Sequence, residues 1–136
     1  MDDAITIAAS GMAAAMASLT ASASNVANAE SAGPAPGFSP VNAQSPASAY
    51  QPAVVIETSM AGGGVSATVT RYSPGTILSY DPSAPFADTH GMVAVPNVDF
   101  ATEAVNQISA RMAFSANLKV FQAANRNLDS LLDIKV

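Results

Sequence analysis

The chain has 136 residues, ten Asp or Glu against five Lys or Arg, no Cys and no Trp. A net charge of −5 excludes the basic footprint of a nucleic-acid binder, and the lack of Cys excludes a disulfide scaffold, a thiol nucleophile and a Cys-ligated zinc site. Charged residues make up 11% of the chain, against roughly 25% in an ordinary soluble domain, and much of the 49% hydrophobic content is alanine. That composition predicts a thin core and small-residue surfaces of low charge, suited to burial against other subunits.

No charged residue occurs from Ala4 to Ala29, so the N-terminus has to be weighed as a targeting or membrane segment. A secretory signal needs a positive start and a compact apolar run, whereas Asp2 and Asp3 make this start acidic. Thr6, Ser10, Ser18, Thr20, Ser22, Ser24 and Asn25 interrupt the apolar run, so the expectation is neither a signal peptide nor a membrane span.

Proline and glycine divide the chain into three: 1–32, 33–96 and 97–136. All nine prolines lie between Pro34 and Pro96, and seven of the eight glycines lie between Gly33 and Gly91. Proline removes a backbone donor and clashes with the preceding turn, so its absence at both ends permits long helices there. The N-terminal segment is rich in Ala, the best helix former. Its apolar residues Ile5, Ala9, Met12, Met16, Leu19, Ala23 and Val26 step by four and three, which is a heptad seam.

The middle segment predicts short strands. Pro34 to Gly37 and Ser45-Pro46 mark irregular chain. Residues 54–58 and 65–72 are β-prone runs on either side of Gly62-Gly63-Gly64, the pattern of a hairpin, with further candidates at 76–80 and 92–95. Two to four strands make a small sheet that needs the helices or neighbouring subunits for stability.

The C-terminal segment follows Pro96, with Asn97 or Asp99 as the N-cap and Glu103 suited to the positive helix end. Apolar positions run Ala101, Val105, Ile108, Met112, then Phe114, Leu118, Phe121, Leu128 and Leu132. The phase slips between Met112 and Phe114, so the seam either winds around the helix or serves two partners. Low charge away from the seams favours packing between subunits over a solvated helical hairpin. The expected fold is mainly α with a small β insert: terminal helices pairing as an antiparallel coiled coil around a short, hairpin-containing middle.

Signals for chemistry are weak. His90 is the sole histidine, with Asp88 two residues before it, yet no Gly-x-Ser-x-Gly elbow supports a Ser-His-Asp hydrolase. One His without Cys gives no zinc set, and the triple glycine has no Walker lysine after it. No cofactor, metal or small-molecule substrate is expected.

Three stretches carry a resemblance. Ser24-Asn25-Val26-Ala27-Asn28 resembles the Ser-x-Asn-x-Ala-Asn signature of flagellar rod and hook proteins. The run from Tyr80 and Pro82 through Gly91 to Pro96, Asn97 and Asp99 resembles a segment of the proximal-rod members of that family. Ala110 to Asn117, with Arg111 and Asn117, leading to Leu131-Leu132-Asp133-Ile134, resembles the family's C-terminal helix motif. Met92, Ala104 and Phe114 depart from the residues usual there.

The resemblance implies a non-enzymatic subunit of the flagellar basal-body rod. Such a subunit polymerises through its terminal helices and transmits torque, with other rod proteins and further copies of itself as partners. It is exported by the flagellar type III apparatus without cleavage. The subunit-packing residues would be Ile5, Met12, Met16, Leu19, Val26, Val105, Ile108, Phe114, Leu118, Phe121, Leu128 and Leu132. Asn25 and Asn28 would satisfy backbone or intersubunit hydrogen bonds. The rival reading of the same residues is a soluble secreted interaction module with a self-contained coiled coil.

Overall fold

The computed structural model describes residues 2–38 and 48–133. Two long helices flank a small β region: α1 (Asp2–Ala27), β1 (Gly33–Pro34), β2 (Ala53–Ser59), β3 (Val65–Arg71), β4 (Thr76–Tyr80), β5 (Met92–Pro96) and α2 (Phe100–Asp133). The expected loop at Ser45-Pro46 and the motif residue Ile134 lie outside the described residues.

The absence of proline lets α1 run 26 residues and α2 run 34. Where α1 ends, the Asn28 side-chain amide donates to the Ser24 carbonyl at 2.8 Å and Ser31 N–H donates to the Asn28 carbonyl. Asp99, rather than Asn97, caps α2. Its carboxylate accepts from the N–H of Thr102 at 3.1 Å, from the N–H of Ala101 and from the Thr102 hydroxyl. These bonds favour the ionised form and hold the Asp99 carboxyl below the usual carboxylate range, the Thr102 hydroxyl contributing most. Asn97 instead donates from its side chain to the Pro74 carbonyl.

Gly11 of α1 lies against the Asn117 side chain, and Asn25 of α1 bonds Glu103 of α2. Paired positions therefore run in opposite chain directions. The buried residues of α1 are Ala8, Ala14, Ala15, Ala21, Ser22 and Asn25. This departs from the expected seam: Ile5, Met12, Leu19 and Val26 are half-buried, and Met16 is 49% exposed. The reason is steric. α1 is pressed by α2 on one side and by β2 and β3 on another. Only small side chains fit at the centre of both contacts, which pushes the larger ones to the rims.

On α2 the inward face is Glu103, Gln107, Ala110, Phe114, Asn117, Phe121, Ala124 and Leu128, all buried or half-buried and stepping alternately by four and three. Phe114, Phe121 and Leu128 thus lie on this face. Val105, Ile108 and Leu132 do not, and Leu118 sits at its edge at 36% exposure. The slip near Met112 marks two faces rather than one winding seam. The inward stripe escaped the apolar pattern because Glu103, Gln107 and Asn117 occupy it.

Strands β2 and β3 form the expected hairpin, in register from Ala53↔Arg71 to Ser59↔Val65. Gly63 and Gly64 take positive φ at its tip, beside Ile7 and Ser10 of α1, and the N–H of Val65 donates to the Ser10 hydroxyl at 3.1 Å. The hairpin therefore lies along α1. The remaining strands form a second sheet, ordered β1-β5-β4, around the buried Val93 and Ala94. The expectation of one small sheet gives way to two, because β3 pairs only with β2 and β4 only with β5; Pro34, expected in irregular chain, pairs with Val93 beside Gly33↔Ala94.

One further expectation changes. Despite its interrupting Ser and Thr residues, Asp3–Ala27 is long and apolar enough to cross a membrane by length and composition. In this fold the helix is committed elsewhere, with Ser22 and Asn25 hydrogen-bonded to α2.

Candidate functional site

The molecule offers two features that bear on function: a buried polar node joining its three parts, and apolar faces left open. The node is centred on Asn25. Its amide nitrogen donates to the Glu103 carboxylate at 2.7 Å and to the Ala53 carbonyl at 2.8 Å. Its amide oxygen accepts from the Ala53 N–H at 2.8 Å and is bonded by the Tyr50 hydroxyl at 3.1 Å. Every donor of this amide and both acceptor directions are used. One side chain thereby ties α1 to α2, to the first residue of β2 and to the segment before it.

Neighbours complete the node. Tyr50 also bonds the Ser24 hydroxyl at 3.0 Å, and the Ser22 hydroxyl donates to the Glu103 carbonyl at 3.1 Å. Glu103 is buried with no cation paired to it among the described residues; Asn25 and, more distantly, Asn106 supply its donors. The Arg71 guanidinium stands over the Tyr50 ring and donates to the Gln51 carbonyl, closing the outer side. Reading the sequence alone assigned Glu103 to the helix dipole and missed Ser22 and Tyr50. The signal that could have found Glu103 is the four-and-three spacing carried back from Phe114 through Ala110 and Gln107.

The second motif stretch folds as a tight loop between β4 and β5. Gly91 has positive φ, and a Cβ there would sit 2.9 Å from the Tyr80 ring and 3.1 Å from Pro82. Asp88 holds the loop by accepting from the N–H groups of His90 and Met92, each at 2.8 Å. The Met92 bond does most to lower the Asp88 carboxyl below its usual range. His90 itself is exposed, with Nδ1 4.0 Å from the Asp88 carboxylate and next to the Thr89 hydroxyl. No serine joins that pair among the hydrogen bonds of the described residues. Pro96 is buried at the end of β5; Asn97 bonds back to the Pro74 carbonyl, and Asp99 caps α2. In the third stretch, Asn117 fills the space beside Gly11 and donates to the Ala113 carbonyl, while Arg111 points to solvent. The node, the loop and the helical seam are separate places, so the motif residues do not converge on one centre.

The open faces are apolar. Val105, Ile108 and Met112 stand 57–68% exposed on the side of α2 opposite α1. A groove of about 760 Å³ runs between α1 and β3, lined by Ala13, Met16, Thr20, Val69 and Arg71 among others. Among the described residues no group of three or more His, Cys, Asp or Glu could hold a metal ion.

Comparison with known proteins points first to a class. Residues 89–134 match the family model described as flagellar basal body rod FlgEFG protein C-terminal. That span holds Gly91, Pro96, Asn97, Asp99, Arg111 and Asn117, and leaves out Ser24, Asn25, Asn28, Tyr80 and Pro82. The chain is also similar to proteins named flagellar basal-body rod protein FlgC. It is 43% identical over 61 residues to that of Salmonella typhimurium, covering 44% of this chain and 46% of the relative. It is 42% identical over 57 residues to that of Aquifex aeolicus, covering 42% of each. Against that of Buchnera aphidicola subsp. Schizaphis graminum it is 33% identical over 80 residues, covering 58% of each. The matched chain thus spans about half the length of these curated relatives.

Proposed function

We propose that this chain is a structural, non-enzymatic subunit of the bacterial flagellar basal-body rod. It polymerises through its terminal helices into the axial tube that carries torque. On this reading the segments 1–32, 33–96 and 97–136 act as one structural unit, with α1 and α2 paired as an antiparallel coiled coil. Its neighbours are other rod proteins and further copies of itself, and it reaches the basal body through the flagellar export apparatus.

One observation carries the reading. The residues similar to rod proteins, 89–134, include α2, whose inward face is taken by α1 and whose outward face displays Val105, Ile108 and Met112 at heptad spacing. A soluble protein seldom leaves such a row open unless a partner covers it. Close packing of the small α1 residues against the inward face suits a part that transmits force, since close-packed interiors pass strain on rather than absorb it. The secreted-module reading is not favoured, because it leaves that row unused.

The test is complementation in a flagellated bacterium lacking its own copy of this subunit. The unaltered, epitope-tagged chain is expected in isolated basal bodies and restores swimming, whereas Leu118→Asp is exported but fails to incorporate. Normal swimming by the Leu118→Asp strain, or absence of the unaltered chain from basal bodies, would count against this function.

A further inference from the structure

We propose that the outer edge of β4 pairs, antiparallel and centred on Leu78, with β4 of a second copy of this chain. The inference goes beyond the rod reading and does not depend on it. An open strand edge states chemically what covers it. Its unpaired N–H and C=O groups, spaced along an extended backbone, are met in series only by another strand.

β4 is such an edge. The N–H of Asn97 donates to the Gly75 carbonyl and that of Asp81 to the Gly91 carbonyl, so in this register Ile77 and Ser79 bond β5. Thr76, Leu78 and Tyr80 therefore aim their backbone groups away from β5, and no strand pairs there among the described residues. Among the described elements β4 packs only on β5, and Ile77, Leu78, Ser79 and Tyr80 are exposed.

The other edges are guarded. β1 is two residues long and ends in Pro34. Asn25 takes the N–H and C=O of Ala53 on β2, and Ser10 takes the N–H of Val65 on β3. The residues of β4, Thr-Ile-Leu-Ser-Tyr, include neither the charge nor the proline that protects an edge strand.

The flanking residues select a second copy of the same strand. Pro74 and Pro82 stand four residues on either side of Leu78, and neither has an N–H to donate. The outward donors between them, on Thr76, Leu78 and Tyr80, are thus symmetric about Leu78. Setting Leu78 opposite its counterpart places Thr76 opposite Tyr80 and uses every one of these donors, about six bonds in all. A shift of two residues either way sets a proline opposite Tyr80 or Thr76 and loses bonds. The centred register also pairs a β-branched side chain with an aromatic one, Thr76 with Tyr80. The nearest carboxylate, on Asp81, then faces Gly75 rather than another charge. The contact is isologous and closes at two copies, so it gives the free chain a dimeric state separate from any head-to-tail assembly.

Because the chain has no Cys, a single introduced Cys reports its own neighbour. Facing residues of a bonded antiparallel pair stand about 5.5 Å apart at Cα, within reach of a disulfide. Under mild oxidation of the purified protein, Leu78→Cys is expected to cross-link at least five-fold faster than Thr76→Cys or Tyr80→Cys. Each of those residues would lie about 14 Å along the strand from its own counterpart. Mixed together, Thr76→Cys and Tyr80→Cys should give the mixed disulfide at least five-fold in excess of either self-dimer. In the unaltered chain, dilution should speed amide exchange at Thr76, Leu78 and Tyr80 several-fold and leave Ile77 and Ser79 unchanged. A Thr76→Cys or Tyr80→Cys self-dimer as abundant as that of Leu78→Cys means that another register or strand covers the edge, and overturns the proposal. Exchange that ignores dilution overturns it as well.

Discussion

The two long helices use their residues in opposite ways: α1 has two charged side chains, both in its first turn, whereas α2 has six spread along its length. α1 is pressed between α2 and the hairpin, and its centre is alanine, serine and asparagine: Ala8, Ala15, Ser22 and Asn25. α2 touches α1 along one stripe, keeps Phe114, Phe121 and Leu128 on that side, and holds Val105, Ile108 and Met112 away from it. A helix with neighbours on two sides has to be narrow, so it spends small residues inside. A helix with one neighbour can present large ones outward. Hydrophobic size is therefore a poor guide to burial in this chain: in α2's first half Phe100, Val105, Ile108 and Met112 are in water and Phe114 turns inward.

The comparison breaks most severely at Asn25. Asn25→Ala leaves the backbone N–H and C=O of Ala53 without their partner and the buried Glu103 carboxylate with only the more distant Asn106. Each orphaned buried group costs about 1–3 kcal/mol, so a loss of about 3 kcal/mol or more is expected in urea unfolding, with α1 and β2 uncoupled. If the midpoint barely moves, the node is not what joins the three parts.

A second, smaller test sets the two faces against each other. Ala15 is 3% exposed at the centre of α1, and Ala15→Leu is expected to cost about 2 kcal/mol through overpacking. The larger truncation Ile108→Ala on the open face of α2 should change the stability of the isolated chain by less than about 0.5 kcal/mol. Thermal melts of the two variants would show whether small inside and large outside is the rule. Equal losses would contradict it.

The smallest effect concerns the start of α2. The Asp99 carboxyl is lowered mainly by the Thr102 hydroxyl and by the first helical N–H groups. Its folded value lies below the unfolded one of about 3.9, so the cap is fully effective above that pH and is lost as pH falls through the folded value. Amide exchange at Thr102 and Glu103 is expected to rise below about pH 4 while the centre of α2 stays protected. An Asp99→Asn chain should cap almost as well and lose this pH response.

Much of the architecture was legible in the residues. Confining all nine prolines to the middle was enough to place a long helix at each end, since the backbone cannot carry a helix through them. Alternating β-prone runs across three glycines were enough for the hairpin, because the two-residue period and a positive-φ tip are local properties. Which face of each helix turns inward was decided by the tertiary structure alone. Inward selection depends on how closely a neighbour approaches, and Gly11 against Asn117 is a contact between residues far apart in the chain. The same holds for Glu103, whose acidity suggests solvent and whose place beside Asn25 makes it the centre of a buried hydrogen-bond set. Period and breaker residues act on the backbone within a few positions, whereas satisfying a buried polar group needs its partner to have been brought there by the fold.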